Sequence, residues 1–144
     1  MCHYMQTVMQ IKEDQMSYEQ KNEFFSPDGL IRIEWIDQFA KQFSEELADG
    51  YRFHRKDFTR SQLRNFYHEF LRIKSSPLKK DEKVIMVKML KAKVKYKKGI
   101  VPEEFIQFIT NLVDEIDKDD LFPVRFENAC ILMEALVAYN PKTK

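Results

Sequence analysis

Residues 83–99 read KVIMVKMLKAKVKYKKG, and where this stretch sits decides what fold the chain can make. At 100° per residue it is a helix whose apolar residues fall into two rows. Ile85, Met89, Ala92 and Tyr96 form one row, and Met86, Val87, Leu90 and Val94 form the other. Together they cover well over half the circumference, which predicts a helix near the centre of a bundle. Lys88, Lys91, Lys95 and Lys98 gather in the strip that remains, and Lys93 falls outside it. The stretch contains no acid to balance them. A basic ridge on an otherwise buried helix is therefore expected, and it needs an anion.

Working outward, the neighbouring segments are helical too. Upstream, SQLRNFYHEFLRIK turns Leu63, Phe66, Phe70 and Ile73 inward with Tyr67 and Leu71 at the flanks, and aligns Arg64, His68 and Arg72 at i, i+4 and i+8 on the other face. Thr59 with Gln62 makes a capping box for this helix, and Ser75-Ser76-Pro77 closes it. Before it, LIRIEWIDQFAKQFSEEL places Leu30, Ile33, Trp35, Ile36, Phe39, Ala40, Phe43 and Leu47 on a wide stripe, between a Ser26-Pro27-Asp28-Gly29 turn and Gly50. Downstream, Pro102 with Glu103 and Glu104 suits a helix start ahead of FIQFITNLVDEI, and VRFENACILMEALVAY after Pro123 forms a strongly apolar last helix ending at Asn140-Pro141. Residues 4–24 read as a first helix or a loosely held arm. The expected fold class is all-α, a single-domain bundle of five to six helices over residues 1–144, with residues 1–25 as the arm.

Bulk properties bound the function. The 144 residues are 44% hydrophobic and 33% charged, as in one soluble domain. Cys2 and Cys130 lie at opposite ends without near partners, which suits a reducing compartment. The N-terminus lacks the basic start and apolar run of a signal peptide, and no stretch approaches the ~20 apolar residues of a membrane helix. A cytoplasmic location without membrane contact is expected. The net charge of +1 conceals strong segregation: residues 1–51 hold four bases and ten acids, residues 52–98 sixteen bases and four acids, and residues 99–144 four bases and nine acids. A basic middle between acidic ends suits one face meeting a polyanion.

Reactive constellations are not found in the sequence. It has no glycine-rich phosphate loop, HExxH, CxxC or GxSxG, and Asp117-Lys118-Asp119-Asp120 lacks the glycine and final glutamate of a calcium loop. His54 and His68 beside Asp57 or Glu69 make a poor acid-base set, because Glu69 is adjacent to His68 on one helix and points elsewhere. Cys130, between Ala129 and Ile131, reads as a buried small hydrophobe. No catalytic residue, metal site or cofactor is expected. Binding chemistry is expected instead: Arg55, Lys56, Arg60, Arg64, Lys88, Lys91, Lys95 and Lys98 suit phosphate oxygens, and nothing selects bases. A helical protein-interaction or DNA-binding adaptor is the alternative. For DNA reading, helix 61–74 has the right size but lacks a compact partner joined by a tight glycine turn.

Three blocks resemble a known family. SQLRNFYHEFLRI looks like the Q-L-R-x-F-Y-x-E-x-R-x-I signature of the small subunit of type III-A CRISPR effector complexes, the Csm small-subunit family, with Arg72 as the later arginine. MLKAKVKYKKG resembles the second block, and FENACILMEALVAYNPK the C-terminal one, through Phe126, Glu134-Ala135 and Ala138-Tyr139. Asn140 replaces a frequent histidine, and Lys97 and Lys98 replace alanines. The resemblance implies a small helical subunit without catalytic activity, stacked in several copies beside guide RNA and target RNA. Its implied partners are the large subunit, the repeating backbone subunit and neighbouring copies of itself. The apolar surface of residues 82–98 and 124–139 suits self-association, such as a homodimer, while the sequence leaves open whether the isolated chain is a monomer or a dimer.

Overall fold

The computed structural model of the chain describes residues 23–48, 60–97, 101–118 and 120–141. Five α-helices run through them: α1 (Ala40–Ala48), preceded by a π-helical turn (Trp35–Phe39), α2 (Arg60–Ser75), α3 (Lys80–Tyr96), α4 (Glu103–Ile116) and α5 (Phe122–Tyr139). The fold class is all-α, as the periodicity predicts. The expected arm lies outside the described residues apart from 23–25, which are extended rather than helical. So do Gly50, Thr59 of the expected capping box, and the loop carrying Arg55 and Lys56.

The chain enters as a buried strap. Phe24 and Phe25 are both in the core, and their N–H groups donate to Oε1 and Oε2 of Glu115 at 2.9 and 3.2 Å. Phe25 then bridges antiparallel to Ile31 around a tight turn. Gly29 closes that turn by donating to the Ser26 carbonyl at 2.9 Å. Its φ of 90° is left-handed, and a Cβ there would sit 3.1 Å from Val124 Cγ1, so glycine is needed twice over. The strap seats an aromatic cluster in which Phe24, Trp35, Phe39, Phe43 and Phe108 pack with centroids 4.3–5.8 Å apart. The stripe expected from Leu30 onward holds from Trp35 but not before it: Leu30 and Ile33 are exposed. Leu30 lies in the turn of the Phe25–Ile31 bridge, ahead of any described helix, and Ile33 sits before the π turn, whose extra residue per turn shifts the face, so no single 100° wheel covers the stretch.

The central helix is α5. It packs against α1, α2 and α4 and buries Phe122, Arg125, Phe126, Ala129, Cys130, Leu132, Met133 and Leu136. Helix α4 buries Phe105, Ile106, Phe108, Ile109, Leu112, Val113 and Ile116. Helix α2 turns Leu63, Phe66, Phe70 and Ile73 inward, with Tyr67 and Leu71 half-buried, as its spacing predicts. The buried apolar residues of these helices join one hydrophobic cluster, with Tyr67 packed against it.

Helix α3 departs from expectation. It is lateral, supported on α4 and more thinly on α2, and buries only Val87, Leu90 and Val94. The second predicted row is therefore inward. The first is not: Ile85, Met89 and Tyr96 are 61%, 47% and 88% exposed, and Ala92 is exposed beside them. One inward row suffices to hold a helix to the side of a bundle, so the other stays outside.

Several side chains at the edge of this core donate to backbone carbonyls. Ser44 Oγ donates to the Leu136 carbonyl at 2.7 Å, Asn140 Nδ2 donates to the Ser44 carbonyl at 3.2 Å, and Arg60 Nη1 donates to the Asn140 carbonyl at 3.0 Å. These bonds tie α1, α2 and the end of α5 together. Arg125, also buried, donates through Nη1 to the Lys118 carbonyl at 2.6 Å, satisfying the end of α4.

Candidate nucleic-acid interface

The basic ridge exists, and its setting differs from the one expected. Lys88, Lys91 and Lys95 follow one edge of α3, the edge beside α4, while Lys98 lies outside the described residues. Beyond Asp81 and Glu82 in its first turn, α3 has no acid of its own, and the ridge meets acids from its neighbour: Lys88 Nζ pairs with Asp117 Oδ2 at 2.8 Å and Lys91 Nζ with Asp114 Oδ1 at 2.6 Å. The hydrogen bond and charge of Asp117 raise the Lys88 ammonium above its ordinary range. Lys95 is exposed and, among the described residues, has no acidic partner. Because Lys88 is exposed and Asp117 only half-buried, their pair is weakly held. A phosphate, with more oxygens and charge than a carboxylate, can share or replace such a partner.

Lys93 stands on the opposite edge, as its angle predicts. Its Nζ donates to Glu69 Oε1 of α2 at 3.1 Å, and Arg72 pairs with the same carboxylate. Burial works to raise the Glu69 carboxyl, but the hydrogen bonds and charges of Lys93 and Arg72 outweigh it and hold the group below its ordinary range. Arg64, His68 and Arg72 lie exposed along α2. The described cations thus form two strips, one on α2 with Lys93 and one at the α3–α4 edge, separated by the exposed row from Ile85 to Tyr96. Arg64 belongs to the first strip and Lys88, Lys91 and Lys95 to the second. Arg60 belongs to neither, since its half-buried guanidinium is tied to Asn140.

Among the described residues, no three His, Cys, Asp or Glu side chains come together as metal ligands. Burial pushes the Cys130 thiol up to about 12, and its Sγ lies 3.9 Å from the Phe70 carbonyl. It is a packing residue. Tyr67 is also raised, first by burial and then by Glu134 and Cys130. No helix among the described residues is long and apolar enough to cross a membrane.

Spacing alone does not reveal several of the residues that fix this surface. Glu69 clamps α2 to α3, and Asp114 and Asp117 answer the ridge, but each depends on how two helices are set against one another. Asn140 stands out in the sequence only as a departure from a family pattern; it is buried and bonded at both its amide and its carbonyl. The one legible signal is the isolated acid in a basic helix, Glu69 among Arg64, Arg72 and Lys74.

The described residues make an all-helical bundle that presents two basic strips, an arrangement chemically suited to holding an anion. The family model Csm2 Type III-A matches residues 33–143, and the chain belongs to this family of small subunits of type III-A CRISPR effector complexes. That membership sets aside an adaptor unrelated to CRISPR. No curated protein and no solved structure matches the chain.

Proposed function

We propose that this chain is a non-catalytic cytoplasmic subunit, folded as one helical domain, that stacks in several copies within the effector and holds the backbone of the target RNA without reading its bases. The supporting observation is the row Lys88, Lys91 and Lys95 at the α3–α4 edge, a line of ammonium groups about two helical turns long. Arg64 on α2, with Arg55, Lys56 and Lys98 outside the described residues, completes the proposed contact set, from which Arg60 drops out because its guanidinium is tied to the Asn140 carbonyl. Lysines bind phosphate as point charges and carry no sequence code. Such indifference suits a machine whose guide RNA already reads the target by base pairing. Repetition along one strand lets modest contacts add. The large subunit and the repeating backbone subunit are the proposed protein neighbours.

The test is reconstitution of the effector with Lys88, Lys91 and Lys95 all changed to glutamate. Target-RNA retention should weaken by a similar factor for every target sequence. The slope of log affinity against log salt should become shallower by about 0.7 for each phosphate that is no longer neutralised. Unchanged retention and slope at physiological salt would remove these lysines from the interface.

A further inference from the structure

The apolar row of α3 has a counterpart on the same chain. On the outer face of α5, Val124, Ile131 and Ala138 stand exposed at i, i+7 and i+14, and Leu30 lies exposed close by, next to the Gly29 that abuts Val124. Both rows carry charge at the same offset. Lys88 and Lys95 follow Ile85 and Ala92 by three residues; Glu127 and Glu134 follow Val124 and Ile131 by three residues. Among the described residues no cation pairs with either glutamate. The two surfaces are complementary in polarity, in sign and in their seven-residue charge repeat.

The offset also sets direction. When two parallel helices face one another, opposite edges of their apolar rows come together; when they are antiparallel, like edges meet. Lysines and glutamates on like edges can therefore pair only in an antiparallel arrangement. We infer that α3 of one copy docks antiparallel on α5 of a second copy, with Lys88 facing Glu134 of the partner subunit and Lys95 facing Glu127 of the partner subunit. That register sets Ala138 of the partner subunit against Ile85, drops Ile131 of the partner subunit between Met89 and Ala92, and lays Val124 of the partner subunit beside Tyr96.

The inference rests on the proposed stacking of copies and specifies its faces. Different surfaces meet, so a docked pair keeps one unused α3 and one unused α5, and the assembly is an open stack rather than a closed dimer. One helix pair falls short of the ~800 Å² per partner of a stable complex, so the contact is weak alone and gains from a shared strand. The lysines sit at the rim, and an ammonium with three donors can face both a carboxylate and a phosphate.

Sedimentation of the full chain over a concentration series tests this. Association should rise with concentration past the dimer, and Met89→Glu and Ile131→Glu should each weaken it by at least about tenfold with melting temperature unchanged, because both side chains lie outside the core. Lys88→Glu with Lys95→Glu should weaken it, and so should Glu127→Lys with Glu134→Lys. The four changes combined should restore association while target-RNA retention stays impaired, which separates stacking from RNA binding. In a Cys2→Ser background, copies carrying Ala92→Cys should cross-link to copies carrying Ile131→Cys, and neither to itself. A monomer at every concentration, no recovery in the four-fold variant, or cross-linking of Ala92→Cys copies to one another would overturn the proposal.

Discussion

Helices α3 and α5 look alike in the sequence: both are mostly apolar around much of their circumference, 17 and 18 residues long. The bundle treats them differently. Helix α5 packs against α1, α2 and α4, and most of its apolar residues become core, with Val124, Ile131 and Ala138 left on its outer face; α3 rests on its neighbours along one row and presents the other to its surroundings. Apolarity thus records that a helix has partners, but not whether those partners belong to the same chain. The charges follow the same division. Arg125 on α5 is buried and capped onto the end of α4, whereas the lysines of α3 stay outside and meet acids of α2 and α4 only at their tips.

The largest effect that would sharpen this contrast is in the core. Leu132→Ala on α5 should cost about 2–5 kcal/mol, while Ile85→Ala on α3 should stay within about 0.5 kcal/mol, both read from urea unfolding of the isolated chain. Equal losses would make α3 as internal as α5. An intermediate effect is expected where α5 ends. Ser44→Ala removes the donor to the Leu136 carbonyl inside the core, and a destabilisation of about 1–3 kcal/mol should follow, measured in the same way.

The smallest effect concerns the α2–α3 clamp. Glu69 is held below its ordinary value of 4.5 by Lys93 and Arg72, against the opposing influence of burial. A carboxyl lowered in the folded state adds stability that is complete above the unfolded value and is lost as pH falls through the lower folded one. The clamp should therefore strengthen the protein at neutral pH and contribute nothing at strongly acidic pH. Glu69→Gln should lower stability by at most about 1 kcal/mol at pH 7, and the gap to the unaltered chain should close in denaturant titrations as pH falls through the lowered folded value, below the ordinary glutamate range. A gap independent of pH would show that the glutamate acts through packing rather than charge.

Much of the fold is legible because helical spacing is a local property. The inward face of α2, the acidic first turn of α4 and the last helix ending at Asn140 all follow from residues within a few turns of one another. The stripe before α1 fails at Leu30, which lies in a bridge turn rather than a helix, and at Ile33, where a π turn breaks the 100° count. The candidate interface is legible in part. Lys88, Lys91 and Lys95 share an edge and Lys93 does not, as their angles require. That Arg60 is spent on the Asn140 carbonyl, 80 residues away in the chain, and that Arg64 belongs to another strip, depend on how distant helices are brought together and on which side of α3 each neighbour lies.

By itself the sequence determined the all-helical class, the inward face of α2, the acidic start of α4, the common edge of the lysines and, through three blocks, the family. Only the tertiary structure decided which apolar helix is central, where the acids that meet the ridge come from, and that the row Ile85, Met89, Ala92 and Tyr96 faces outward. Periodicity is written in each helix separately, whereas burial is a contest among helices for a limited interior. In this bundle α5 occupies that interior, and the exposed row of α3 is left for another molecule.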